Sequence, residues 1–147
     1  MAEQHLPFYS QIKCTLDPQT RGVHLITDKI QEAINKLPEV NVGLVHLFLQ
    51  HTSASLLISE NASEDVWHDL ETHLNHLAPD NEQLYTHTIE GPDDMPAHIK
   101  NAHLGSSLSI PITNGKMALG RWQGIFLCEH RNHASARHIV ITLQGMK

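Results

Sequence analysis

Three apolar runs with a period of two constrain this chain more than any other feature. In "GLVHLFLQH" the residues Val45, Leu47, Leu49 and His51 share one side. In "GIFLCEH" they are Ile125, Leu127 and Glu129, and in "RHIVITL" they are Arg137, Ile139, Ile141 and Leu143. Successive side chains of a strand point to opposite faces, so each run is a strand with one buried row. Each row also has an ionisable group at one end. A charge left there unpaired costs several kcal/mol, so His51, Glu129 and Arg137 must be paired, hydrogen-bonded or coordinated.

The segments between these runs supply the other layer. "TDKIQEAINKL" puts Ile30, Ala33, Ile34 and Leu37 at helical spacing after a Thr27 or Asp28 cap, and Pro38 stops it. "NASEDVWHDLETHLNHLAP" carries a Val66–Leu70–Leu74–Leu77 stripe with acids in its first turn. A third, short helix begins after Asp94, with Pro96 in its first turn and Gly105 closing it. "FYSQIKCTL", the two runs around "HTSAS", "SSLSIPI" and "KMALGRW" read as strands, and Asn114-Gly115 marks a hairpin. Strands dominate without strict βαβ alternation. The expectation is one α+β domain over residues 1–147, a largely antiparallel sheet or sandwich with about three helices.

Composition excludes some functions. The net charge is −6 with no Lys/Arg run, so the cationic footprint that nucleic acid or an anionic membrane requires is missing. Cys14 and Cys128 lack CxxC spacing, which fits free thiols in a reducing compartment. "MAEQHLPFYSQIKC" has no signal-peptide pattern and no apolar run is of spanning length, so a cytoplasmic protein is expected.

Histidine is abundant, 13 of 147 residues. "YTHTIEGPDDMPAHIK" sets His87 and His98 on either side of a turn bearing Glu90, Asp93 and Asp94. His51, His87 and His98 form one candidate metal shell, three imidazoles with a fourth position open, and Glu60, Asp69, Asp93 and Asp94 are the nearby carboxylates. Asp94 has a competing role as a helix cap, and Glu129–Arg137 reads equally as a structural pair. Asp69, His73 and His76 fit a solvated helix face, and Cys128 a packed thiol pointing away from the site. The "GSS" at 105–107 offers hydroxyls and N–H groups to a phosphate, or simply ends a helix and starts a strand. No GxSxG, Walker A, GxGxxG or HExxH occurs.

"LQHTSASLLISEN", "DDMPAHIKNAHLGSSLSIPI", "LGRWQGIFLCEHR" and "ITLQG" together resemble the YjbQ-like family, described as secondary thiamine-phosphate synthase-like proteins. The likeness runs from about residue 8 to the end and is strongest toward the bacterial members. It implies a sandwich-like α+β fold, a homotrimer and a polar pocket with a bound metal or anion. It also implies weak thiamine-phosphate synthase activity, joining a pyrimidine pyrophosphate to a thiazole phosphate with release of pyrophosphate. On that basis His51, His87 and His98 are expected to hold a divalent metal, zinc or magnesium. Glu60, Asp69, Glu129 and Arg137 are expected to serve catalysis, and Lys100, Ser106 and Ser107 to hold a phosphorylated or anionic substrate. Two alternatives stay open: a metal-dependent hydrolase or lyase, and a non-catalytic trimer that binds metal or anion.

Overall fold

The chain is described here over residues 7–147 by a computed structural model. Its strands are β1 (Phe8–Leu16), β2 (Gly22–Leu25), β3 (Val42–Leu49), β4 (Ala54–Glu60), β5 (Ser107–Thr113), β6 (Lys116–Met117), β7 (Gln123–Glu129) and β8 (Arg137–Met146). The helices are α1 (Thr27–Ile34), α2 (Glu64–Leu77) and α3 (Asp94–Leu104). One sheet has the order β1-β8-β3-β5-β6 and the other β2-β7-β4. Every pairing is antiparallel. The α+β sandwich expected from the alternation is the fold observed.

The core lies between the sheets and is built from the rows read in the sequence. Val45, Leu47 and Leu49 of β3, Ile125 and Leu127 of β7, and Ile139, Ile141 and Leu143 of β8 are all buried in it. On the other side of the smaller sheet, α2 and α3 form an outer layer. There Phe126 and Cys128, the opposite face of β7, meet helix residues, with Trp67 edge-on to Phe126. Burial pushes the Cys128 thiol up to about 12, so it is an inert packing group.

Glycines at two places show how closely the strands are fitted. Asn114 and Gly115 both have positive φ, 52° and 79°, the geometry of a primed hairpin turn between β5 and β6. Gly43 and Gly145 face each other across β3 and β8. A Cβ on Gly43 would stand 1.9 Å from the Gln144 carbonyl oxygen, and one on Gly145 2.2 Å from that of Val42.

Some expectations fail in detail. Helix α1 starts at Thr27 without a side-chain cap, because Thr27 Oγ1 instead accepts the Ile125 N–H at 2.9 Å. Ser63 makes no cap bond either; Glu60 Oε2 accepts the N–H groups of Ala62 (3.0 Å) and Ser63 (2.7 Å) ahead of α2. The short edge strand β2 was not expected, since "GVHL" is too brief for alternation to register. "KMALGRW" yields only the two-residue β6. Among the described residues no helix is long and apolar enough to cross a membrane.

Candidate metal centre

Helix α3 opens on Asp94 and places His98 one turn later on the same side. The loop before it, which turns at Gly91 with φ 110°, brings His87 back over Asp94. His87 Nε2 lies 2.7 Å and His98 Nε2 3.0 Å from the same oxygen, Asp94 Oδ2. The imidazole centroids are 5.5 Å apart. Asp94 is buried, whereas His87 and His98 reach solvent at 44% and 30% exposure of their side chains, so the cluster opens outward.

The other nitrogen of His98 fixes its tautomer. Nδ1 is 2.8 Å from the Thr52 carbonyl oxygen, which can only accept, so Nδ1 carries the proton. Neutral His98 then points its Nε2 lone pair at a carboxylate. Two acceptors at 3.0 Å repel unless a cation, either a proton or a metal ion, shares the space. A backbone carbonyl behind Nδ1 is the support that metal-ligating histidines characteristically have.

The donor set fits a transition ion. The three donor atoms all lie within 4.8 Å of one another. On a tetrahedral zinc with bonds of about 2.0–2.1 Å, donor atoms sit about 3.3–3.4 Å apart, a small opening from the 2.7 and 3.0 Å between Asp94 Oδ2 and the two imidazole nitrogens. Two imidazoles and one carboxylate suit zinc or a similar ion, while magnesium demands an octahedron of oxygens. Of the two ions expected, the site fits zinc.

The carboxylates are held by an arginine that the sequence reading did not single out. Arg131 Nη1 donates to Asp94 Oδ1, Nε to Asp93 Oδ2 at 3.1 Å and Nη2 to the Glu90 carbonyl at 3.0 Å. The Asn132 N–H adds a bond to Asp93 Oδ2 at 2.8 Å. Burial alone would raise the Asp94 pKa; the bond from His87 and the charge of Arg131 outweigh it and hold the carboxyl below its ordinary value. Asp93 is likewise depressed, burial being overcome by the Asn132 N–H and Arg131.

Behind this cluster lies the buried pair expected from strand periodicity. Arg137 Nε meets Glu129 Oε1 at 2.7 Å and Nη2 meets Oε2 at 2.6 Å. The pair braces both sides of the centre. Arg137 Nη2 also donates to Ser53 Oγ (2.9 Å) and carbonyl (3.2 Å), next to the Thr52 that anchors His98. Glu129 Oε2 accepts the backbone N–H of Arg131 at 3.1 Å.

Several expected site residues stand elsewhere. His51 does not join His87 and His98: its Nε2 accepts the His138 N–H at 2.9 Å and its ring stacks on His138. Burial, with Arg137 and His138, lowers its pKa and favours that neutral acceptor. Asp94 takes the place His51 was expected to fill, and it is the first residue of α3, not its cap. Glu60 is at the far end of β4, engaged at the start of α2. Asp69 is on the solvated face of α2, its side chain 84% exposed beside His68. Lys100 is buried under α2 with Nζ on Asn75 Oδ1 at 2.8 Å. Its pKa is lowered by burial and by Arg21. Ser106 Oγ accepts from Asn101, and Ser107 is exposed on β5.

Set beside known proteins, residues 12–146 match the family described as UPF0047 protein YjbQ-like, and the chain belongs to that family. YjbQ of Escherichia coli O157:H7 is 50% identical over 131 residues, covering 89% of this chain and 94% of the relative. A UPF0047 protein of Synechocystis is 44% identical over 127 residues, 86% of each chain. Among solved structures, a YjbQ/UPF0047 protein of Clostridium acetobutylicum superposes with a TM-score of 0.79 at 32% identity, covering 90% of this chain and 98% of that one. A hypothetical protein of Aeropyrum pernix, at 24% identity, has the same fold, with a TM-score of 0.82 over 92% of this chain and 98% of that one.

Proposed function

We propose that the protein is a metal-dependent enzyme acting on a small anionic, phosphate-bearing molecule, with His87, Asp94 and His98 as the protein ligands of a zinc-like ion. The observation that carries this reading is the convergence of His87 Nε2, His98 Nε2 and Asp94 Oδ2, with the Thr52 carbonyl fixing His98 so that its Nε2 is turned to the cluster. A divalent ion so held supplies Lewis acidity toward a phosphoryl oxygen or toward water. The chain's own residues orient and balance it. Thr52 fixes the His98 tautomer, Asp94 adds one negative charge, and Arg131 with the Glu129–Arg137 pair keeps Asp94 and the 52–53 segment in place. The side exposed through His87 is where a substrate would enter.

Transfer between a pyrimidine pyrophosphate and a thiazole phosphate is the finer reaction suggested by the resemblance. Of its expected phosphate contacts, Lys100, Ser106 and Arg137 are engaged inside the protein, and Ser107 is exposed on β5. Hydrolysis or lysis needs only one substrate beside an ion that activates water, and it is the reading proposed here. A homotrimer belongs to the same proposal, and Val42, Leu44 and Phe48, exposed on the outer face of β3, offer an apolar surface for it.

The test is elemental analysis of untagged protein beside His98→Ala, Asp94→Asn and His51→Ala, followed by assays of phosphate ester hydrolysis and thiamine-phosphate formation. Near-stoichiometric zinc in the parent and His51→Ala, its loss from the other two, and metal-dependent ester turnover are expected. Metal-free parent protein that still binds no added zinc would overturn the reading.

A further inference from the structure

The site holds more oxygen donors than the proposed ion uses. Asp94 is nearly buried and brings two carboxylate oxygens to the imidazoles' side of α3, while the adjacent Asp93 stands outside the group of donors. A carboxylate with both oxygens free can chelate a hard ion such as calcium or manganese. Arg131 changes this. Its fork takes Asp94 Oδ1 and Asp93 Oδ2 together, and the Asn132 N–H takes Asp93 Oδ2 as well. What remains facing the imidazoles is the single oxygen Asp94 Oδ2.

We propose that Arg131 is the residue that sets metal selectivity, holding Asp94 to one donor oxygen, so that a nitrogen-preferring ion is chosen over oxygen-preferring ones. The inference rests on the metal centre proposed above. Two physical effects act in the same direction. Arg131 cancels one of the two carboxylate charges, and a hard ion depends more on that charge than zinc does, because zinc also draws strength from the imidazoles. The planar guanidinium also spans both carboxylates, which a lysine ammonium, a point charge, does not do. Arg131 itself is fixed by its Nη2 bond to the Glu90 carbonyl and by its own N–H on Glu129 Oε2.

The experiment is calorimetric titration of metal-stripped parent, Arg131→Gln and Arg131→Lys with zinc, manganese and calcium separately, with circular dichroism confirming the fold of each. The parent should bind zinc and show no calcium binding. In Arg131→Gln the ratio of zinc to manganese affinity should fall at least tenfold and calcium binding should become measurable, with Arg131→Lys between the two. A purely structural role would weaken all three ions in parallel, so an unchanged ratio in either folded variant overturns the proposal. If Arg131→Gln does not fold, Arg131→Lys carries the comparison alone. A parent that binds none of the ions removes the metal centre itself and this inference with it, whereas a zinc-binding parent with an unchanged ratio in the variants removes only the role of Arg131.

Discussion

Replacing Arg137 with methionine isolates the energy of the brace behind the metal centre. The side chains of Arg137 and Glu129 are 5% and 0% exposed, and two short charge-assisted bonds join them. Methionine matches much of the aliphatic volume but leaves Glu129 buried, with only the Arg131 N–H among its present donors. Removing one partner of a buried pair costs about 3–5 kcal/mol, because the other charge is stranded away from water. Loss of the Ser53 contacts adds to this, at about 1 kcal/mol for an ordinary hydrogen bond. A domain of this kind has roughly 5–15 kcal/mol to lose, so the variant should lose about a quarter of its stability or more. In urea, with a slope of about 1.5–2 kcal/mol per molar, the midpoint should drop by about 2 M or more. The double variant Glu129→Leu/Arg137→Met strands no charge and should recover at least half of the loss. A midpoint shift under 0.5 M for Arg137→Met, an order-of-magnitude bound from the same slope, would refute the reasoning, since the pair would then be solvated in a way its burial denies.

Other perturbations read other parts of the molecule. His130 is buried with Nε2 on Ser55 Oγ at 2.9 Å, and burial together with Lys100, Arg21 and Arg137 pushes its pKa down to about 3. The unfolded chain therefore takes up a proton that the folded one refuses. Stability should fall as pH drops from about 6.5 toward 3, by up to about 1.4 kcal/mol per pH unit from this residue, and His130→Asn should flatten that slope in acid titrations followed by circular dichroism. Asp94 acts lower down. Its depressed pKa makes its contribution present above about pH 4 and lost as pH falls through the folded value, so Asp94→Asn should remove part of the loss seen below pH 4. Gly115→Ala meets no atom closer than 3.9 Å and should cost only the backbone strain of φ 79°, about 1–2 kcal/mol in thermal or urea unfolding. Gly43→Ala, whose Cβ would overlap the Gln144 carbonyl, should cost distinctly more.

The sandwich was legible because alternation is a local signal that burial enforces over seven or more residues, as in β3, β7 and β8. His87 and His98 were legible as a pair because one turn and the start of α3 join them. The rest of the site depends on contacts between distant segments that spacing does not encode. His51 ends its row as expected, yet the paired strand β8 offers the His138 N–H and captures its ring. Asp94 looked like a cap because it precedes Pro96, but the helix begins one residue earlier than that reading assumed. Arg131 sat in an irregular "HRNHASAR" stretch with no periodicity to orient it, and only the fold shows its fork meeting Asp93 and Asp94. The Glu129–Arg137 pair was anticipated from the two row ends, since neither charge could stay buried alone.

The strand order carries a consequence for how the molecule is made. β8 lies between β1 and β3, so the larger sheet has one of its inner strands supplied last. While the chain grows from the ribosome, β1 and β3 must wait with open edges for more than eighty residues before the strand that joins them exists, a delay that non-local pairing makes slow and exposed to aggregation. Arg137, the first residue of that strand, arrives with it. The sheet and the bracing of the metal centre are therefore completed by the same late segment, and a nascent chain stalled before it has neither.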